Sequence, residues 1–454
     1  MLRLSTCLAA VLGALLLSVG AFQPSSAQAP AAATFVMTGA RVIDGTGRAP
    51  FENATLLVQD GRVGAVGGPG AVAIPAGATR IDVSGKTIVP GFINAHGHLS
   101  NGDETLPPRV RILQQLGLFA RYGVTTVYTM GGYGDRAREI VQVRDERHPS
   151  AADGARVYVS ATVVSNSVEE ARQSVDSAVA MKVDFIKTRM NRNQMNDMAT
   201  AYKRAKDMEP EVYRAVIEQA HKHGLRVLAH VYMLDDAKGL VGAGLDVVGH
   251  AVRDQDVDEA FISDLKRRNV GYIATMARDL AEFEYETTPA YFADPFFLRG
   301  LPFIRKDMDE LMNPAAQEKV RTGRLAVVIK KALQQNMRNL KLLSEAGVAI
   351  AMGTDSGTGV GQWAGYSEHV ELELMTRAGL TPMQALVSAT GGAARVTKLD
   401  QHLGTLQPGK WADFIVLAAN PLTDIRHTRK IDSVWIGGRR LQPTGTSRAA
   451  ASGR

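Results

Sequence analysis

Cysteine is nearly absent: the 454 residues include one, Cys7. A lone thiol excludes an internal disulfide and a thiolate metal cage, so any metal must be held by nitrogen and oxygen. Clustered positive charge is also missing. The formal charge is only +6, and no stretch interleaves lysine and arginine with aromatics, which argues against nucleic-acid binding. Long apolar runs are lacking except at residues 7–19. That run is shorter than the roughly 20 residues needed to cross a bilayer. It follows Met1-Leu2-Arg3 and precedes the small residues Ser25-Ser26-Ala27, the pattern of a cleaved secretory signal over residues 1–27. Ala27-Gln28-Ala29 is a competing cleavage site, disfavoured because Pro30 follows it, and Thr6 before Cys7 does not suit a lipoprotein. Cleavage would leave a thiol-free, periplasmic or secreted protein with no stable membrane anchor.

What is present reads as a large α/β protein. Short strand-like runs at residues 35–37, 54–58 and 62–66 are separated by Asp44-Gly45 and Asp60-Gly61, and similar runs return at 413–417 and 433–438. Neither end is long enough to bury a sheet alone, so residues 34–86 and 401–442 are expected to build one small β-sandwich domain together. Between them lie eight strand-like runs, at residues 88–93, 123–128, 155–159, 183–187, 225–230, 245–250, 270–275 and 348–352. Helical patterns such as 210–223 and 330–346 alternate with them, which predicts a (β/α)8 TIM-like barrel over residues 87–400. Residues 277–330 form an insertion holding seven of the chain's 24 phenylalanines and tyrosines, suited to anchoring the segment or to covering a site as a lid. The Ser/Thr/Gly/Arg/Ala-rich residues 443–454 read as a disordered tail.

The candidate chemistry sits at strand ends. His96-Gly97-His98 closes an apolar run, and imidazoles two residues apart on a strand face the same way, as a cation requires. Lys187, His230, His250 and Asp355 each follow a later apolar run. Lys187 alone could be an amine reaching the barrel rim, and Asp355 alone a helix cap. The six groups converge only if the strands are parallel and closed. His221 and His223 end a helix, and His148, His402 and His427 lie in polar surroundings. His369 heads a helix over 371–378, with nothing to single it out.

In order and context these motifs resemble the amidohydrolase superfamily, in particular its imidazolonepropionase-like members and their Xaa-Pro dipeptidase-like binuclear branch. The matching residues are Pro90-Gly91-Phe92-Ile93-Asn94-Ala95-His96-Gly97-His98, Asp184-Phe185-Ile186-Lys187, His230, Val248-Gly249-His250 and Gly353-Thr354-Asp355-Ser356. Segments 385–390 and 404–413 fit the family's closing region, so the resemblance spans nearly all of the chain beyond the signal. It implies two divalent cations, one on His96, His98 and Asp355 and one on His230 and His250. It also implies a carbamate on Lys187, formed with CO2, as the bridging ligand. Zinc suits such nitrogen and oxygen donors, as do manganese, cobalt and iron.

The same resemblance implies a mechanism. A hydroxide bridging the cations would attack a polarised carbonyl, with Asp355 as general base and then general acid. Tyr232, two residues after His230, occupies the place of a substrate-contacting tyrosine in dipeptidase-like members. One position departs from imidazolonepropionase proper: its glutamate, three residues after the strand-five histidine, is Met233 here. Arg189 and Arg278 are candidates to hold a substrate carboxylate. These readings point to a hydrolase of peptide-like or N-acyl amino acid amides, a small-molecule enzyme compatible with a homo-oligomer. The alternatives are a lactonase, carbamate or phosphoester hydrolase on the same centre, or a non-catalytic metal- or ligand-binding protein on a degenerate barrel.

Overall fold

The computed structural model describes residues 34–131, 134–147, 152–190 and 208–442. The expected signal, the tail and His148 lie outside the described residues. Among the described residues no helix is long and apolar enough to cross a membrane.

The N-terminal segment forms β1 (Phe35–Val42), β2 (Phe51–Gln59), β3 (Arg62–Gly67), β4 (Thr79–Asp82) and β5 (Thr87–Pro90). The barrel strands follow: β6 (Phe92–Gly97), β7 (Val124–Thr129), β8 (Arg156–Val163), β9 (Phe185–Arg189), β10 (Val227–His230), β11 (Val247–Gly249), β12 (Gly271–Ile273) and β13 (Ile350–Ala351). The chain ends with β14 (Phe414–Leu417), β15 (Ile431–Ile436) and β16 (Arg439–Arg440).

Strands β6 to β13 pair in sequence order, every pair parallel. The ring closes between its first and last strands, where Ala95 N donates to Met352 O at 2.9 Å and Asp355 N donates to His96 O at 2.7 Å. A parallel neighbour needs a crossover, and helices such as Val168–Ala180, Pro210–Lys222 and Glu259–Arg268 supply it. The barrel floor is apolar. Ile93, Ala95, Tyr128, Phe185, Leu228, Val247, Ile273 and Ala351 pack with Ala393, Ala394 and Val396 of the helix Gly391–Thr397. Side chains alternate along a strand, so two residues past Phe185 and Leu228 the same interior side receives Lys187 and His230.

The remaining strands make one mixed eight-stranded sheet, ordered β16-β15-β14-β5-β1-β2-β3 with β4 on β1. Phe35 and Met37, Leu56 and Val58, Val63, Ile88, Phe414 and Val416 share a single apolar core, so the two chain ends bury a common face. Arg156 of β8 binds Asp413 through two contacts, at 2.6 and 2.9 Å, and joins the barrel to this sheet.

Three expectations shift. The run 88–93 is not one strand. β5 pairs with β1 and β14 in the terminal sheet, and the barrel begins only at β6. Gly91 stands at the break, where the backbone runs so close to β7 that a Cβ would lie 2.1 Å from Thr125 Oγ1. The terminal sheet therefore takes residues 87–90 from the expected barrel span. The helix expected from residue 330 starts six residues earlier, as Arg324–Glu345. The insertion is largely short helices, including Met276–Ala281, Arg305–Leu311 and Pro314–Thr322. Its aromatics act chiefly as an anchor. Phe292 stacks on Phe297 at 5.3 Å, and Trp363 Nε1 donates to Tyr285 Oη at 2.8 Å. Tyr285 Oη in turn donates to Gly361 O at 2.7 Å, fastening the insertion to the loop that follows Asp355. Phe303 is the exposed exception.

Candidate metal centre

The six candidate ligands meet at the carboxyl ends of β6, β9, β10, β11 and β13. Lys187 Nζ lies 3.1 Å from His96 Nε2, and His98 Nε2 lies 2.8 Å from Asp355 Oδ1. His96 Nε2 is 3.3 Å from the same oxygen. One ligand atom from each of His96, His98 and Asp355 falls within 4.8 Å of the others, the compactness one cation needs. On the other side, the His250 ring is 4.3 Å from that of His96 and 4.0 Å from that of His230.

Backbone strain helps to bring these groups together. Val247 faces the barrel floor, so strict alternation would point Gly249 inward and His250 away. His250 instead has φ 76°, and Asp355 has φ 60°. A non-glycine residue in this region costs on the order of 1–3 kcal/mol, and such residues gather where surrounding structure forces a geometry. Gly353 provides room, since a Cβ there would lie 2.7 Å from that of His96.

Burial sets the charge state. His96 is pushed down to about 3, first by loss of solvent and then by the nearby Lys187. His230 and His250 are held well below the usual imidazole range, again mainly by burial. Lys187 is lowered to about 7 by burial, against the opposing pull of Asp355. Burial would raise the Asp355 carboxyl, but His250, His98 and His96 hold it well below the ordinary value. The site thus combines neutral imidazoles, a carboxylate and an amine close to neutrality, a donor set that fits divalent cations. Two buried nitrogens, His96 Nδ1 and His230 Nε2, have no hydrogen-bond partner among the described residues. His250 Nδ1 lies 3.0 Å from Thr275 Oγ1, which leaves Nε2 for a cation.

The proposed substrate contacts lie around this core. The Tyr232 ring is 4.8 Å from that of His230, and its hydroxyl is buried without a partner among the described residues. Burial raises its pKa, which keeps the hydroxyl a donor. Arg278 is not a solvated rim charge. It is buried, its Nε lies 3.4 Å from Asp355 Oδ2, and it also contacts Asp279 and Glu282. Arg189 sits opposite His230 in the β9–β10 register.

Several polar residues at the site have no role in the sequence reading. Arg253 stacks over Tyr232, 3.7 Å from the ring centroid, and forms a buried ion pair with Asp279. Asn94, Thr354 and Ser356 converge on buried Glu368, and Glu371 caps the helix Met276–Ala281. The available signal was Glu368 and Glu371 three residues apart on a helix whose other residues include buried Leu372, Leu374 and Met375. His369 heads no separate helix. It lies within Tyr366–Arg377, 2.9 Å from Thr428 Oγ1 and 2.8 Å from the Tyr122 carbonyl, bridging barrel and C-terminal segment. His221 and His223 pair with Asp246 and Asp176 at the surface, away from the centre.

Residues 87–441 match the profile of the Amidohydrolase family. The chain belongs to that family. Among curated amidohydrolase relatives, it is 23% identical to the enamidase of Eubacterium barkeri over 398 residues, covering 85% of this chain and 86% of that one. It is 24% identical to the imidazolonepropionase of Streptomyces avermitilis over 411 residues, covering 86% and 88%. The crystal structure of a prolidase candidate from Bifidobacterium longum superposes with a TM-score of 0.73 at 25% identity, covering 91% of this chain and 96% of that one. Family membership and these relatives support hydrolysis of carbon–nitrogen bonds in small molecules.

Proposed function

We propose that this amidohydrolase cleaves an amide bond in a small molecule carrying a carboxylate, a dipeptide or an N-acyl amino acid, at a centre for two divalent cations. The observation that carries the reading is Lys187, buried 3.1 Å from His96 Nε2 with its amine lowered to about 7. A neutral amine can add to carbon dioxide: nitrogen bonds to carbon, one proton leaves, and a carboxylate ends the side chain. The nitrogen stays, and the two added oxygens would supply carboxylate-type donors for divalent cations. His96, His98 and Asp355 would hold one and His230 and His250 the other, with zinc the natural occupant.

Bound cations supply a Lewis acid and lower the pKa of water. Asp355 accepts the proton of the attacking water and returns it to the departing amine. Tyr232 donates its hydroxyl to the oxygen that gains charge, and Arg278 holds the substrate carboxylate. Met233 begins the turn into the helix Leu234–Gly242 and offers no proton-transfer group, which disfavours the imidazolonepropionase reaction.

The test is a hydrolysis panel of dipeptides, N-acyl amino acids and lactones with metal-reconstituted protein. Release of free amino acid supports the reading. Turnover of lactones with none of the amides would overturn it in favour of ester chemistry.

A further inference from the structure

The helix Tyr366–Arg377 carries Glu368 and Glu371, both fully buried and neither paired with a basic side chain among the described residues. Buried carboxyls without a counter-charge destabilise a fold, and leucine would fill such space more cheaply. Each instead reaches a different half of the metal centre. Glu368 Oε1 accepts from Ser356 Oγ at 2.8 Å, from Thr354 Oγ1 at 3.1 Å and from Asn94 Nδ2. Asn94 Oδ1 accepts from His96 N at 2.9 Å, and Thr354 and Ser356 flank Asp355. Glu371 uses both oxygens, accepting from Met276 N at 3.0 Å and Ala277 N at 2.6 Å. Those amides open the turn between Thr275, whose hydroxyl meets His250, and Arg278, which meets Asp355.

We propose that Glu368 and Glu371 are positioning residues: Glu368 sets the His96–Asp355 half of the centre, and Glu371 sets the His250–Arg278 half. This rests on the metal reading above. The two sites respond differently to glutamine. At position 368 one oxygen does all the accepting, so E368Q keeps every contact. At position 371 both oxygens accept, so E371Q turns an amide N–H toward a backbone N–H. A space-filling role predicts no such difference, because glutamine fills both sites equally.

The experiment titrates metal-free protein with Co2+ and follows its visible absorption. E368Q should bind within about threefold of wild type, and E368L and E371Q at least about tenfold more weakly, with altered spectra. If E368L does not fold, the isosteric E371Q carries the test. Wild-type affinity and spectrum in E371Q overturn this inference alone. Wild-type protein that binds no cobalt overturns the metal reading, and this inference with it.

Discussion

Loss of water around Lys187 lowers its amine to about 7, whereas an exposed lysine would stay charged and inert toward carbon dioxide. The K187A variant should therefore lose at least about hundredfold in kcat/KM, about 2.7 kcal/mol of transition-state stabilisation. Elemental analysis should find its metal content reduced by at least half. Retention of full activity and two metals would sink the bridging role. Tyr232 offers a second test at this scale. Its hydroxyl is buried beside His230 and His250 without a partner among the described residues. Removing a donor aimed at a developing oxyanion costs about hundredfold or more. Y232F should lower kcat by about that factor with an unchanged melting temperature, and a loss under twofold would assign the hydroxyl no catalytic part.

At the scale of elements, the insertion and the loop after Asp355 behave as one unit. Tyr285, Tyr291, Phe292, Phe297 and Trp363 lock them together, and Glu284 is drawn into this apolar setting beside the Tyr285 and Tyr291 hydroxyls. Burial pushes the Glu284 carboxyl up to about 7. Below about pH 4.5 it is protonated in folded and unfolded chains alike. Between there and pH 7 only the unfolded chain releases the proton, so stability falls as pH rises through that window. E284Q should thus raise the melting temperature at pH 8 and leave it nearly unchanged at pH 4.5. An equal effect at both values would count against the shift. The aromatic richness of this segment was legible in the sequence. Its partner was not, because Trp363 lies 72 residues from Tyr291 and only the closed barrel brings them together.

On the scale of the whole molecule, two sheets share one continuous chain, and the Arg156–Asp413 pair ties them. Both side chains are largely buried, and Asp413 Oδ1 also accepts from Gly437 N at 2.7 Å. Breaking a buried pair leaves a charge without compensation, at a cost of about 3–5 kcal/mol. R156A should lower the urea midpoint by a corresponding amount while leaving cobalt affinity near wild type, because the pair is at the opposite end of β8 from the site. Loss of metal binding in folded R156A would show that the terminal sheet shapes the centre.

The sequence by itself determined the alternation of strands and helices, the parallel barrel and the joining of both chain ends. These follow from periodicity, turn residues and the length a crossover needs. It also marked the side chains that converge, histidine, lysine and aspartate at the ends of apolar runs. Tertiary structure alone decided how they meet. Alternation from Val247 would turn His250 away, and only a left-handed backbone held by Thr275 and the neighbouring strands turns it inward. Likewise, Glu368 and Glu371 read as ordinary helix acids until the helix packs against three strand ends. Burial then makes them acceptors for the backbone and side chains around the site, a role set by long-range contact and invisible to local pattern.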